Sequence, residues 1–239
     1  KGDGVSGGTL NEDGSIDSYV NVNTTAGFSI VKYTSPNSDS DETIGHGLSQ
    51  RPDMVIAKNR TSAYNWDVCT PALSSGYDLR LNDDAAQASG RWSTTIPTAS
   101  LVTLLDTYEV AGTDEYIAYC FHSVEAYSKI GIYTPADVTS YPGPGSFVYC
   151  GFRPRYLLTK NITGSAGNWY IFDTLRDPYN LSTQELSANT TGAEGAEGGF
   201  DILSNGFKMR NNNGNGNDSS TWFIYLAFAE SPFKYTRAR

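Results

Sequence analysis

Basic charge is scarce in this chain. Lys and Arg number 17 against 26 Asp and Glu, leaving a formal charge of −9 over 239 residues. That balance argues against nucleic acid as a partner, because phosphate binding needs a basic surface that displaces counterions. It argues equally against an anionic membrane surface. An acidic surface instead stays hydrated and repels its neighbours, which suits a soluble protein working in salt. No apolar run is long enough to span a bilayer as a helix, so membrane insertion is not expected. Cysteine is sparse too: Cys69, Cys120 and Cys150 cannot all pair, and so few exclude a disulfide scaffold. Cys120 lies in an apolar run and Cys150 between Tyr149 and Gly151, so buried free thiols are expected. The chain opens at Lys1 with neither Met nor a secretory leader, as a processed product or a piece of a longer polypeptide would. Amphipathic helical periodicity is missing as well. Only 83–88 and 181–188 could make a helical turn or two.

What is present is a sequence written twice. Arg51-Pro52-Asp53-Met54-Val55-Ile56-Ala57-Lys58-Asn59, followed by Asn65-Trp66, returns as Arg153-Pro154-Arg155-Tyr156-Leu157-Leu158-Thr159-Lys160-Asn161, followed by Asn168-Trp169. Tyr116-Ile117-Ala118-Tyr119-Cys120-Phe121 returns as Phe223-Ile224-Tyr225-Leu226-Ala227-Phe228. A repeat of such long period points to two copies of one structural unit rather than to a solenoid. Phe28-Ser29-Ile30-Val31-Lys32-Tyr33 alternates and is β-branched, the pattern of a strand, and 129–134 echoes it. Short strands separated by Gly, Asn and Pro turns predict an all-β fold: an antiparallel β-sandwich built from two tandem, closely packed repeats. The expected divisions are an extended arm or linker over 1–26, a first repeat over 27–128 and a second over 129–239. Ser204-Asn205-Gly206 predicts a tight hairpin turn, since Asn-Gly tolerates positive φ.

Catalytic patterns are weak. Gly4-Val5-Ser6-Gly7-Gly8 matches a nucleophile elbow but lacks the strand before and the helix after that the chemistry requires. His46 and His122 are the only histidines and have no metal-site spacing. A turn histidine bonded to nearby backbone is the expectation for His46. A glycosidase needs two carboxyls across a cleft, and neither Asp67 nor Asp173 stands out as one of a pair. The oxygen-rich stretch 37–42 lacks the glycine and the terminal bidentate glutamate of an EF-hand calcium loop, and 211–218 is mostly uncharged and would bind calcium weakly. No catalytic residue, metal or cofactor is therefore expected. Trp66 and Trp169 recur and are expected in the core. Trp92 has no counterpart, and Tyr133, Tyr141 and Tyr149 surround Pro142-Gly143-Pro144-Gly145. Tyr and Asn make adaptable contact surfaces, so Trp92, Tyr133, Tyr141, Asn212 and Asn215 are the candidate contacts to a glycan or protein receptor. Asn-x-Ser/Thr acceptors occur at Asn23, Asn59, Asn161, Asn180, Asn189 and Asn217, a pattern that a secreted lectin would share.

Several phrases resemble a family of bacteriophage virion proteins of the marine and cyanophage type. They are Thr25-Ala26-Gly27-Phe28-Ser29-Ile30-Val31, Ile44-Gly45-His46-Gly47-Leu48, Val124-Glu125-Ala126-Tyr127-Ser128-Lys129, Gly151-Phe152-Arg153-Pro154, Gly167-Asn168-Trp169-Tyr170-Ile171 and Leu203-Ser204-Asn205-Gly206-Phe207-Lys208. The resemblance spans roughly residues 20–235 and departs from the family at Asp67-Val68-Cys69. It implies a tail fibre, appendage or other surface protein of the virion, and it transfers no catalytic residues. Other virion proteins, a homo-oligomer such as a trimer, and a glycan or protein of the host surface are the partners so implied. The arm over 1–26 is then a candidate for attachment to the particle. A capsid decoration protein and a polysaccharide depolymerase are the alternatives.

Overall fold

The computed structural model describes residues 8–106, 112–136, 140–164, 166–196, 198–211 and 221–231. Every regular element among them is a strand, and the sheets are antiparallel. The chain divides into two units. The first holds Lys1–Leu81 with Gln87–His122, and the second holds Asn82–Ala86 with Ser123–Arg239.

The first unit contains β1 (Thr9–Asn11), β2 (Ser18–Asn23), β3 (Phe28–Thr34), β4 (Glu42–Gly45), β5 (Met54–Asn59), β6 (Trp66–Cys69), β7 (Tyr77–Arg80), β8 (Ala88–Ser89), β9 (Leu101–Leu104) and β10 (Glu115–Phe121). Eight strands form one sheet in the order β1-β2-β3-β10-β5-β6-β7-β8, and β4 pairs with β9 in a second. Alternation decides which side chains face inward. Val31, Ala118, Ala57 and Asp67 stand in one cross-strand row. Tyr33 and Tyr116 lie opposite each other, with rings stacked at 5.2 Å. These inward residues, Asp67 apart, share a core with Ile44, Val102 and Leu104 of the small sheet, so the two sheets form a sandwich. The other face of the large sheet is apolar as well. Met54, Ile56, Val68, Leu79 and Ile117 are buried there, which is why Met54-Val55-Ile56-Ala57 reads as an unbroken apolar run.

The second unit contains β11 (Ser128–Tyr133), β12 (Phe147–Tyr149), β13 (Pro154–Asn161), β14 (Trp169–Asp173), β15 (Leu186–Ser187), β16 (Phe200–Leu203), β17 (Gly206–Met209) and β18 (Phe223–Ala229). Its sheets run β11-β18-β13-β14-β15 and β12-β17-β16. Aromatic rings dominate this core. Phe207 meets Tyr133 at 5.7 Å, Phe200 at 5.8 Å and Tyr225 at 5.3 Å between centroids. The pairing order β11-β18-β13-β14 is that of β3-β10-β5-β6 in the first unit.

Three expectations need correction. Residues 8–26 are not an extended arm: β1 and β2 form a hairpin that pairs with β3, and Ile16 and Val20 enter the core. Their polar Gly/Asp/Asn context hid two inward apolar side chains. The units divide at His122, and Asn82–Ala86 joins the second, so the boundary expected at 128 moves. The stretches over 83–88 and 181–188 make no helical turns but end in the short strands β8 and β15.

The hairpin at Ser204-Asn205 exists, with Leu203 opposite Gly206. Gly206, however, is a strand residue and is not at positive φ. Its missing side chain serves close approach: a Cβ there would collide with the Val148 carbonyl oxygen of β12. Gly206→Ala is therefore expected to cost about 1–3 kcal/mol through overpacking. Urea denaturation would measure it, and a loss under about 0.5 kcal/mol would contradict the close approach.

Candidate functional site

The five residues proposed from sequence do not gather. Trp92 is only 2% exposed and belongs to the core of the first unit. Its loop turns at Gly90, whose φ of +88° suits glycine, and the indole folds inward. Tyr133 faces inward from β11 and stacks on Phe223 at 5.2 Å, and burial pushes its phenol well above the ordinary range. A surface-contact role for these two rings is corrected on burial. Tyr141 is 51% exposed, and its hydroxyl donates to the Gly198 carbonyl at 3.4 Å. Asn212 and Asn215 lie outside the described residues. Trp169 is in the core as expected, whereas Trp66 is half-buried and stacks on Tyr119 at 6.3 Å.

Several titratable groups lie in the interior. His46 is fully buried; Nδ1 accepts from the Leu48 amide at 3.1 Å and Nε2 donates to the Thr98 carbonyl at 3.3 Å. Both bonds suit a neutral ring, and burial lowers its pKa. This is the turn histidine expected from sequence. Lys160 is buried but caps two carbonyls, those of Asp84 at 3.1 Å and Asn161 at 2.8 Å, and burial pulls it down to about 8. All three cysteines are buried and outside any disulfide, and burial pushes Cys120 and Cys150 up to about 12, where a thiol is inert.

Among the described residues, Asp67 and Asp78 form the pair of buried carboxyls whose pKa values are raised. They lie on neighbouring strands and face the core. Asp78 is 1% exposed, and neither carboxyl oxygen has a hydrogen-bond partner. Burial first, then the Asp67 charge, pushes it up to about 7, while Arg80 and Arg91 pull the other way. Such a pair resembles the unequal carboxyls of a glycosidase in charge, but Asp78 has no exposed surface to offer a substrate. Its consequence is for stability. The unfolded carboxyl titrates near 3.8 and the folded one near 7. Between these values only the fold holds the proton, so the contribution of Asp78 falls as pH rises through that window. Asp78→Asn is expected to raise Tm at pH 8, with the gap to wild type shrinking by pH 5. Thermal melts across that range would measure it, and a constant gap would refute the shift.

Each unit carries an open hollow beside exposed side chains. Lys58, Arg60, Trp66 and Tyr119 line one of about 540 Å³ in the first unit. The larger, of about 600 Å³, lies in the second unit between the turn Val124–Ser128 and residues Tyr149–Gly151. Ser123, Glu125, Ser128 and Lys129 supply its polar groups. Tyr149 stands in its wall with 65% of its surface exposed. Tyr149 was visible in the sequence beside the Pro-Gly run, but nothing there separated its ring from that of buried Tyr133. The oxygens of 37–42 disperse: Asp41 accepts from Ser93 and from the Asp106 amide, while Glu42 accepts from Ser15. Among the acceptor asparagines, Asn59 and Asn161 are buried and bond their own turns.

These features define an all-β protein of two antiparallel sandwich units, with an exposed tyrosine beside a polar hollow. The chain belongs to the family described as Domain of unknown function (DUF7483), which matches residues 3–232. Neither a curated protein nor a solved structure matches it.

Proposed function

We propose that this protein is a surface module of a bacteriophage virion, a tail fibre or appendage component that attaches to the host envelope by binding and not by turnover. The observation that carries this reading is the pair of exposed rings on one strand face of the second unit. Phe147 and Tyr149 alternate with buried Val148 along one strand and are both exposed, on a sandwich whose core is closely packed with aromatic side chains. Monomers rarely leave large apolar side chains exposed together without a partner for them. The acidic surface supports it, because like charge keeps particles apart in salt. The duplicated sequence phrases support a gene-doubled architecture, and the virion-like phrases supply the context. In this reading the protein assembles in the host cytoplasm with other virion proteins, as a homo-oligomer such as a trimer. Many copies on one particle then turn weak contacts into avidity. The receptor is a glycan or protein of the host surface. With β1 and β2 built into the first sheet, attachment to the particle through residues 8–26 is not part of the proposal.

Two measurements test it. Purified protein should adhere to host cells and compete with particle adsorption, without releasing oligosaccharide from the envelope. Released oligosaccharide would make it a depolymerase. Gold-labelled antibody should mark the tail or its appendages; label confined to the head would make it a decoration protein.

A further inference from the structure

The outer face of the three-stranded sheet carries two aromatic rings in a row. β12 has three residues, and alternation sends Val148 into the core and Phe147 and Tyr149 outward. Their Cα positions are two residues apart, about 7 Å along the strand. Phe147 is 47% exposed and Tyr149 65%. Across the ladder Tyr149 faces Gly206 and Phe147 faces Lys208. A Cβ at Gly206 would sit 3.1 Å from Cε2 of Phe147, so the Phe147 ring leans over that bare backbone. The row ends at the hollow whose wall includes Tyr149.

The hollow has the polar chemistry that the rings lack. Its far wall is a tight turn in which the amides of Tyr127 and Ser128 both donate to the Val124 carbonyl. Ala126 in that turn has φ +62°, a left-handed conformation that alanine seldom adopts. Strain of this kind gathers at functional sites. The Ser123 hydroxyl accepts from the Ile130 amide and the Ser128 hydroxyl from the Val124 amide, which fixes both oxygens at the turn. Glu125 and Lys129 bring one charge of each sign. A charge-balanced lining disfavours an anionic or cationic ligand, since either would meet a like charge. It favours a ligand rich in neutral hydroxyls, which can donate to a carboxylate and accept from an ammonium. The flat C–H face of a sugar ring fits an exposed tyrosine. The hollow's volume is within the ordinary range for a small-molecule site, about 300–1,000 Å³.

We infer that Phe147, Tyr149 and the hollow between Val124–Ser128 and Gly151 bind an uncharged oligosaccharide. One sugar stacks on Tyr149 at the hollow and the next on Phe147. A second copy of the chain adding a strand to β12 is the competing occupant. Three residues give it little edge to pair with. The inference rests on the envelope-binding reading and names its ligand class.

The test uses the full chain and end-labelled neutral tetrasaccharides of glucose, galactose, mannose and N-acetylglucosamine. At least one should bind, with Tyr149→Ala and Phe147→Ala each weakening it by about tenfold or more. Tyr149→Phe should stay within about threefold, because the ring and not the hydroxyl does the stacking. Unchanged thermal melts would show that the variants fold. No binding by any tetrasaccharide, or binding that Tyr149→Ala leaves intact, overturns the inference. So does self-association in the ultracentrifuge that Tyr149→Ala abolishes without any sugar binding. Host-cell adhesion is measured in parallel. If wild type and Tyr149→Ala adhere equally, this site fails while envelope binding stands. If neither adheres, envelope binding itself fails.

Discussion

Each unit is held together by its last strand. β10 pairs with β3 on one side and β5 on the other, and β18 pairs with β11 and β13. The strand made last is thus inserted between two strands made much earlier. Until it arrives, those neighbours leave amides, carbonyls and apolar side chains in water. Its inward residues, Tyr116, Ala118 and Cys120 in one unit and Phe223, Tyr225 and Ala227 in the other, are buried in the two cores. Burying a large apolar side chain contributes about 1.5–3 kcal/mol, but here that gain requires long loops to close first. Pairing across such sequence distances makes for slow, cooperative folding.

That closed interior tolerates polar groups only on strict terms. His46 gives both ring nitrogens to backbone and stays neutral. Lys160 donates to two carbonyls, and the charges of Asp84 and Asp83 oppose the burial that lowers its pKa to about 8. Asp78 has no such partner, and burial raises its pKa to about 7. These are three answers to one desolvation cost. The surface chemistry proposed for binding sits where that cost is absent, on an outward strand face and at two turns. A binding site of this kind needs the sandwich for rigidity and leaves its core undisturbed.

The corrected residues show what kind of information a single sequence withholds. Trp92 sits among Gly90, Arg91 and Ser93 and has the local character of a surface loop, yet its indole fills the core. Tyr133 and Tyr149 flank the same Pro-Gly run in sequence. One is stacked on Phe223, whereas the other faces water. Gly206 was readable as a turn former, while its actual constraint is the carbonyl of Val148, nearly sixty residues earlier in the chain. Asp67 and Asp78 look like ordinary strand polar residues until the register turns both inward.

The central strands such as β3, β5, β10 and β13, the all-β class and the buried thiols were set by the sequence itself, because alternation and turn residues act within a few residues of each other. His46 as a backbone-bonded turn histidine was legible for the same reason. Tertiary structure alone decided which rings are exposed, which carboxyl keeps its proton and where the hollow lies. Those outcomes depend on partners brought from distant segments, and an aromatic side chain carries no local mark of whether such a partner will cover it.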